Sequence, residues 1–115
     1  MAVKESSTNQ ENKRILNVCP VTFTLEKIGG RWKPLILYNL SQGTLRYAPL
    51  KRAIPAITEK MLIQHLRELE ADNLITREVK PVVPPHVEYS LTDLGRSLGN
   101  LLDEIANWGL QHRPV

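Results

Sequence analysis

The sequence predicts a mainly α fold that carries one small β-hairpin, and three observations predict it. The first is residues 58–71, TEKMLIQHLRELEA. At about 100° per residue, Met61, Leu62, Leu66 and Leu69 gather on one side of a helix with His65 among them, and Lys60, Ile63, Gln64 and Arg67 gather on the other. The second is the stretch before it: a short segment, 47–53, and the tight connection Ile54-Pro55-Ala56-Ile57. The third is the stretch after it: LITREV (74–79), a proline-rich turn, and VEYSL (87–91). Helix, turn, helix and two-stranded hairpin is the order of a winged helix-turn-helix. In that fold 58–71 is the helix that enters the DNA major groove, and the N- and C-terminal helices are expected to form a dimer interface.

Taken in order, residues 1–14 are polar, carry almost nothing to bury, and read as a flexible tail; one structured domain is expected over 15–115. Val21, Leu25 and Ile28 recur at helical spacing, with Phe23 adding apolar area, so a helix is expected over 20–28. Pro20 suits its first turn, and Gly29-Gly30 ends it. A second helix is expected over 31–40, with Trp32, Leu35, Ile36 and Leu40 as its apolar face and Pro34 fixing its start. Thr44-Leu45-Arg46 is a short β-compatible run. Leu50 and Ile54 anchor the next helix, and Pro55 stops it. Thr58 is placed to cap the helix after that. Glu68, Glu70 and Asp72 read as its solvated end.

In the hairpin, Leu74, Thr76 and Glu78 alternate with Ile75, Arg77 and Val79, and Val87, Tyr89 and Leu91 share one face. Three prolines between 81 and 86 make a stiff tip outside the ladder. Thr92 is the expected cap of the final helix, whose stripe is Leu94, Leu98, Leu101, Leu102, Ile105 and Trp108. That is more apolar surface than a terminal helix needs for its own core. Part of it is read as a dimer seam partnered by the N-terminal helix; folding entirely onto its own subunit is the alternative.

The composition narrows the function. At 115 residues there is room for one core. No apolar run is long enough to span a membrane, and the polar N-terminus is not a secretory signal, so a cytoplasmic location is expected by default. The one cysteine, Cys19, excludes an internal disulfide framework and a Cys-rich zinc site. No ligand spacing, phosphate loop, catalytic triad or carboxylate pair occurs, so no metal, cofactor or enzymatic activity is expected. The net charge is only +3, but eight basic residues fall between Lys27 and Arg67 against one acid, Glu59. A basic block over the helix-turn-helix fits a DNA-binding face.

Several long stretches also resemble the HxlR-type winged-helix regulators, a branch close to MarR-type regulators. They are Cys19-Pro20-Val21, IGGRWKPLIL (28–37), LRYAPLKRAIPAIT (45–58), EKMLIQHLRELEADNLI (59–75), VPPHVEYSLTDLG (83–95) and the late Trp108. The resemblance spans about 17–110. The chain departs from the usual pattern at Tyr47 (commonly Phe), Pro49 (commonly an acid), Ala56-Ile57-Thr58 and Asp72-Asn73; Asn73 is able to take the left-handed conformation that glycine would supply. The resemblance implies a homodimeric bacterial regulator, repressor or activator, on operator DNA. It also implies that many relatives respond to oxidants, quinones or aldehydes through a cysteine at the position of Cys19.

The residues suited to these roles are named by their chemistry. Arg67 and Lys60 suit guanine edges or phosphates, Gln64 suits adenine, and Thr58 suits a phosphate or a base. Arg31, Lys33, Arg46 and Lys51 are further phosphate candidates, and Lys80 and His86 belong to the wing. His65 is expected to be a packed residue rather than a ligand. Cys19, at a helix start, is a candidate thiol sensor, with an inert buried cysteine as the alternative. Two other readings stay open: the same regulator controlled by a non-covalent small ligand, and a winged-helix protein-interaction module that does not bind DNA.

Overall fold

The computed structural model describes residues 19–115; the expected tail lies outside them. The chain divides into two compact units, one ending at Gly30 and one spanning Arg31–Val115. No helix among the described residues is long and apolar enough to cross a membrane.

In the first unit α1 (Pro20–Ile28) begins as the sequence indicates, with Cys19 as N-cap in extended backbone and Pro20 in the first turn. It ends at Gly29, whose N–H donates to the Leu25 carbonyl, and Gly30 takes a positive φ of 89°. Val21, Phe23 and Leu25 are exposed on it.

The second unit opens with α2 (Lys33–Ser41), two residues later than expected because Trp32 is its N-cap and Pro34 sits in its first turn. Its buried face is Ile36, Leu37 and Leu40. Leu35 is turned outward, so the expected face is corrected: packing of α2 against the sheet and the last helix selects Leu37 instead. Then come β1 (Leu45–Arg46), α3 (Tyr47–Ala53) and α4 (Glu59–Ala71). Leu50 and Ile54 are buried as anchors. Thr58 caps α4 by accepting from the Met61 N–H at 3.2 Å, a contact worth about 1 kcal/mol.

The end of α4 is a Schellman turn. Asn73 stands at φ 60°, Leu74 N–H donates to the Leu69 carbonyl at 2.9 Å, and Asn73 N–H donates to that of Glu70 at 3.0 Å. The left-handed role expected of Asn73 is the one it takes. The hairpin is β2 (Ile75–Lys80) and β3 (His86–Leu91), with 81–85 outside the ladder. All pairings are antiparallel and the order is β1-β3-β2. Ile75 lies opposite Leu91, Arg77 opposite Tyr89, and Leu45 opposite Tyr89 on the other edge. Ile75, Tyr89 and Leu91 are buried, which makes this the inner face of the wing.

The last helix is two helices, α5 (Asp93–Arg96) and α6 (Gly99–His112), where the sequence suggested one. Thr92 caps α5 through the Gly95 N–H. Its hydroxyl donates to the Asn73 carbonyl at 2.7 Å, and its own N–H donates to that of Leu74. One threonine thus fastens α5 to the corner between α4 and β2. The core gathers around Ile36, Leu37, Leu50, Ile54, Leu62, Leu69 and Ile75, all essentially solvent-free; each such side chain contributes about 1.5–3 kcal/mol.

Candidate nucleic-acid interface

Burial of Leu62, Leu66 and Leu69 fixes the rotation of α4 about its axis. The opposite side presents Thr58, Lys60, Ile63, Gln64 and Arg67 to solvent, the set that periodicity assigned to it. Neither Lys60 nor Arg67 enters an ion pair among the described residues. The Thr58 oxygen is used as the cap, while its hydroxyl hydrogen is left for an external acceptor such as a phosphate.

Glu68 is not a solvated end residue. Its Oε1 meets Lys33 Nζ at 3.0 Å, crossing from α4 to α2, and also meets His65 Nδ1 at 3.2 Å. Its Oε2 accepts from Gln64 Nε2 at 3.4 Å. These partners, Lys33 first and then His65 and Gln64, lower the Glu68 pKa from 4.5 to about 2. His65 is half-buried within this network, and the Lys33 charge is already matched. A depressed folded-state pKa contributes stability above the unfolded value and loses it as pH falls through the folded one. Thermal stability is therefore expected to be insensitive to this group down to about pH 4.5 and to lose its contribution between there and about 2. Melting curves of wild type and Glu68→Gln across that range check this: the acid loss should be smaller in the variant.

The wing carries its own charge arrangement. Glu78 lies directly opposite Glu88, and Arg46 lies opposite Glu88 on the other edge. Lys80 pairs with Glu78 and reaches Glu88 at 3.9 Å. His86 Nε2 contacts Glu88 at 2.9 Å. The partner Glu78 raises the Lys80 pKa, and His86 lowers that of Glu88. Like charges facing each other across a ladder destabilise it; Lys80 and His86 offset that repulsion. Of the other basic candidates, Arg31 lies exposed over the Trp32 ring at 4.5 Å, and Lys51 reaches the Pro55 carbonyl at 3.5 Å.

Between α4 and the inner face of the wing runs an open groove of about 490 Å³, flanked by Arg67, Glu70 and Arg77 over Leu66, Val87 and Tyr89. Sequence reasoning did not single out Arg77. Alternation places it with Ile75 and Val79 on one face, and the structure leaves that face uncovered at Arg77. Tyr47 also borders the groove. Its hydroxyl is buried with no hydrogen-bond partner among the described residues, and burial, with Glu59 nearby, raises its pKa.

Cys19 is half-buried and forms no disulfide among the described residues. Thr22 Oγ1 donates to its Sγ at 3.1 Å. That bond and the Thr22 N–H, with a smaller contribution from Val21, lower the thiol pKa. Of the expected seam residues, Leu94, Leu101, Ile105 and Trp108 are exposed, Trp108 to 67%, and Leu98 is half-buried. Leu102 is corrected: it is 3% exposed, on the side of α6 that packs toward α2, so its burial is complete within one chain. No group of three or more metal-ligating side chains occurs among the described residues.

Comparison with known proteins agrees with this architecture. Residues 27–115 match the HxlR-like helix-turn-helix family. The HTH-type transcriptional regulator YkvN of Bacillus subtilis (strain 168) is 55% identical over 91 residues, 79% of this chain and 77% of that protein. The regulator YybR of the same organism is 47% identical over 97 residues, 84% of this chain and 78% of that one. Among solved structures, the redox regulator HypR in its oxidized form superposes with a TM-score of 0.81 at 47% identity, covering 84% of this chain and all of that one. The family is one of regulators and not of enzymes. With its fold, its outward basic helix and this degree of identity, the chain belongs to the HxlR-like helix-turn-helix family and is a DNA-binding transcriptional regulator.

Proposed function

We propose that the protein is a homodimeric repressor that places α4 in the major groove at each half of a two-fold operator and is switched through Cys19. The observation that carries the DNA reading is the outer face of α4, where Thr58, Lys60, Gln64 and Arg67 stand exposed on a helix whose rotation is fixed by its core. Arg46, Arg77 and Arg31 are the next phosphate contacts, with Lys51 beside them. Lys33, Lys80 and His86 have less to offer, since each already meets a carboxylate. A dimer suits the apolar side chains left uncovered at Leu94, Leu101, Ile105 and Trp108, bordered by Leu98, with Val21, Phe23 and Leu25 of α1 adding apolar area. A dimer seated across a promoter represses by occupying it.

The switch rests on Cys19, at a helix N-terminus with a thiol made more acidic by Thr22; both features favour the nucleophilic thiolate. HypR, described as a redox regulator and solved in oxidized and reduced forms, supports the same reading. The routes open to one cysteine per chain are a disulfide to its twin, a mixed disulfide with a small thiol, or alkylation by an electrophile.

The test is binding of the reduced full-length protein to DNA upstream of its own gene over a salt series, repeated after diamide or a quinone. Tight, salt-sensitive, sequence-selective binding that is lost on treatment is expected. Cys19→Ser is expected to bind as the reduced wild type does and to keep binding after treatment. Wild-type binding that survives treatment would move the control to a non-covalent ligand, and release of DNA by the treated variant would take the switch away from Cys19. Absence of selective binding in every state, on this DNA and on duplexes selected from a random library, would favour the protein-interaction module.

A further inference from the structure

We infer that Glu68 is a positioning residue for DNA reading, clamped by Lys33 and setting the side-chain amide of Gln64; this rests on the assignment of Gln64 to the DNA face. Both carboxylate oxygens of Glu68 are occupied. Oε1 takes Lys33 from α2 at 3.0 Å and His65 at 3.2 Å, and Oε2 takes Gln64 Nε2 at 3.4 Å. Lys33 has only 13% of its side chain exposed, so its ammonium is held where little else can neutralise it, and it keeps Glu68 in place. A carboxylate accepts and cannot donate. The Gln64 amide therefore turns its nitrogen toward Glu68 and its oxygen away, because the reverse sets two oxygens against each other. One N–H is then committed, while the second N–H and the carbonyl oxygen are left. Those two groups are the pair with which a glutamine reads the N7 and N6 edge of adenine. The contact to α2 gives the carboxylate, and through it the Gln64 amide, a fixed point outside α4.

The variant that isolates this role is Glu68→Ala, because alanine is the strongest helix former and leaves the helix propensity of α4 intact. The readout is discrimination: affinity for a duplex that the wild type enriches from a randomised library, divided by affinity for a scrambled duplex of equal length. Glu68→Ala is expected to lower that ratio roughly tenfold, while scrambled-duplex affinity holds or rises with the lost negative charge. Lys33→Met is expected to lower the ratio in the same direction, and it serves if Glu68→Ala does not fold. In a Gln64→Ala background the Glu68 substitution is expected to change the ratio no further, which shows that its effect passes through the amide. An equal fall on both duplexes, or an undiminished effect in the Gln64→Ala background, would overturn the inference and leave Glu68 a stabilising residue only. If Gln64→Ala alone leaves the ratio unchanged, the assignment of the DNA face fails at that residue and the inference fails with it.

Discussion

Alanine at Gly95 is expected to destabilise the fold by about 3 kcal/mol, the upper end of the usual cost of overpacking a core, and to lower Tm by roughly 10–20 °C. A Cβ added there falls well inside contact distance of the Leu74 carbonyl oxygen and 3.3 Å from the Leu91 side chain. Neither neighbour has room to yield. The Leu74 carbonyl is fixed by the Thr92 N–H at 3.0 Å, and Leu91 is buried opposite Ile75 in the ladder. Relief would have to come from lifting α5 off the corner between α4 and β2, which breaks the Thr92 contacts that hold α4 and the wing in one frame. Gly99→Ala is the control. Beyond its chain neighbours and the backbone of its own helix, nothing lies within 4 Å of an added Cβ there, so the same change should be neutral or stabilise by up to about 1 kcal/mol. Thermal melts of the two variants beside wild type decide it; equal Tm values for both would show that α5 does not need its close approach to Leu74.

Gly95 also marks where the sequence stopped being readable. Period and caps placed α1, α3, α4 and both wing strands to within a residue or two, because those signals are local. They are Pro20 in a first turn, Thr58 accepting from Met61, and Asn73 left-handed at the end of α4. The outer face of α4 was legible for the same reason, since its inner face is a plain apolar stripe. The break between α5 and α6 was not. Leu94, Leu98, Leu101 and Ile105 continue the helical period straight through it, and the close approach of α5 to Leu74 is a contact with another element. Leu102 and Leu101 are adjacent apolar residues that only packing against α2 tells apart. The Lys33–Glu68 pair joins residues on helices whose side-by-side arrangement no periodicity reports, so Glu68 looked like a solvated acid. Arg77 was placed on the right face by alternation, but the uncovered stretch of that face emerges only once the length of α4 is set against the wing.

Arg67→Ala and Lys60→Ala should each weaken binding to selected DNA, Arg67→Ala by about 1–3 kcal/mol if it reads a base edge, and the double variant by roughly a hundredfold or more. Both side chains are exposed on the same face of α4 and unpaired with any acid among the described residues, so neither substitution removes an ion pair within the fold. Melting temperatures should stay within the small range of surface changes, and a loss of affinity therefore reports on the interface. The manner of the loss tells the two apart. A lysine that meets a phosphate supports every sequence alike, so its removal weakens selected and scrambled duplexes together and reduces the salt dependence by about one unit of slope. An arginine that reads guanine supports one sequence, so its removal relaxes preference at one position and leaves scrambled-duplex binding nearly unchanged. Arg67 stands beside the groove toward the wing, while Lys60 lies in the first turn of α4, where backbone amides and the positive end of the helix dipole already favour a phosphate. The expected division is thus Lys60 on the backbone and Arg67 on the bases. Unchanged affinity in the double variant would take DNA contact away from this face of α4 altogether.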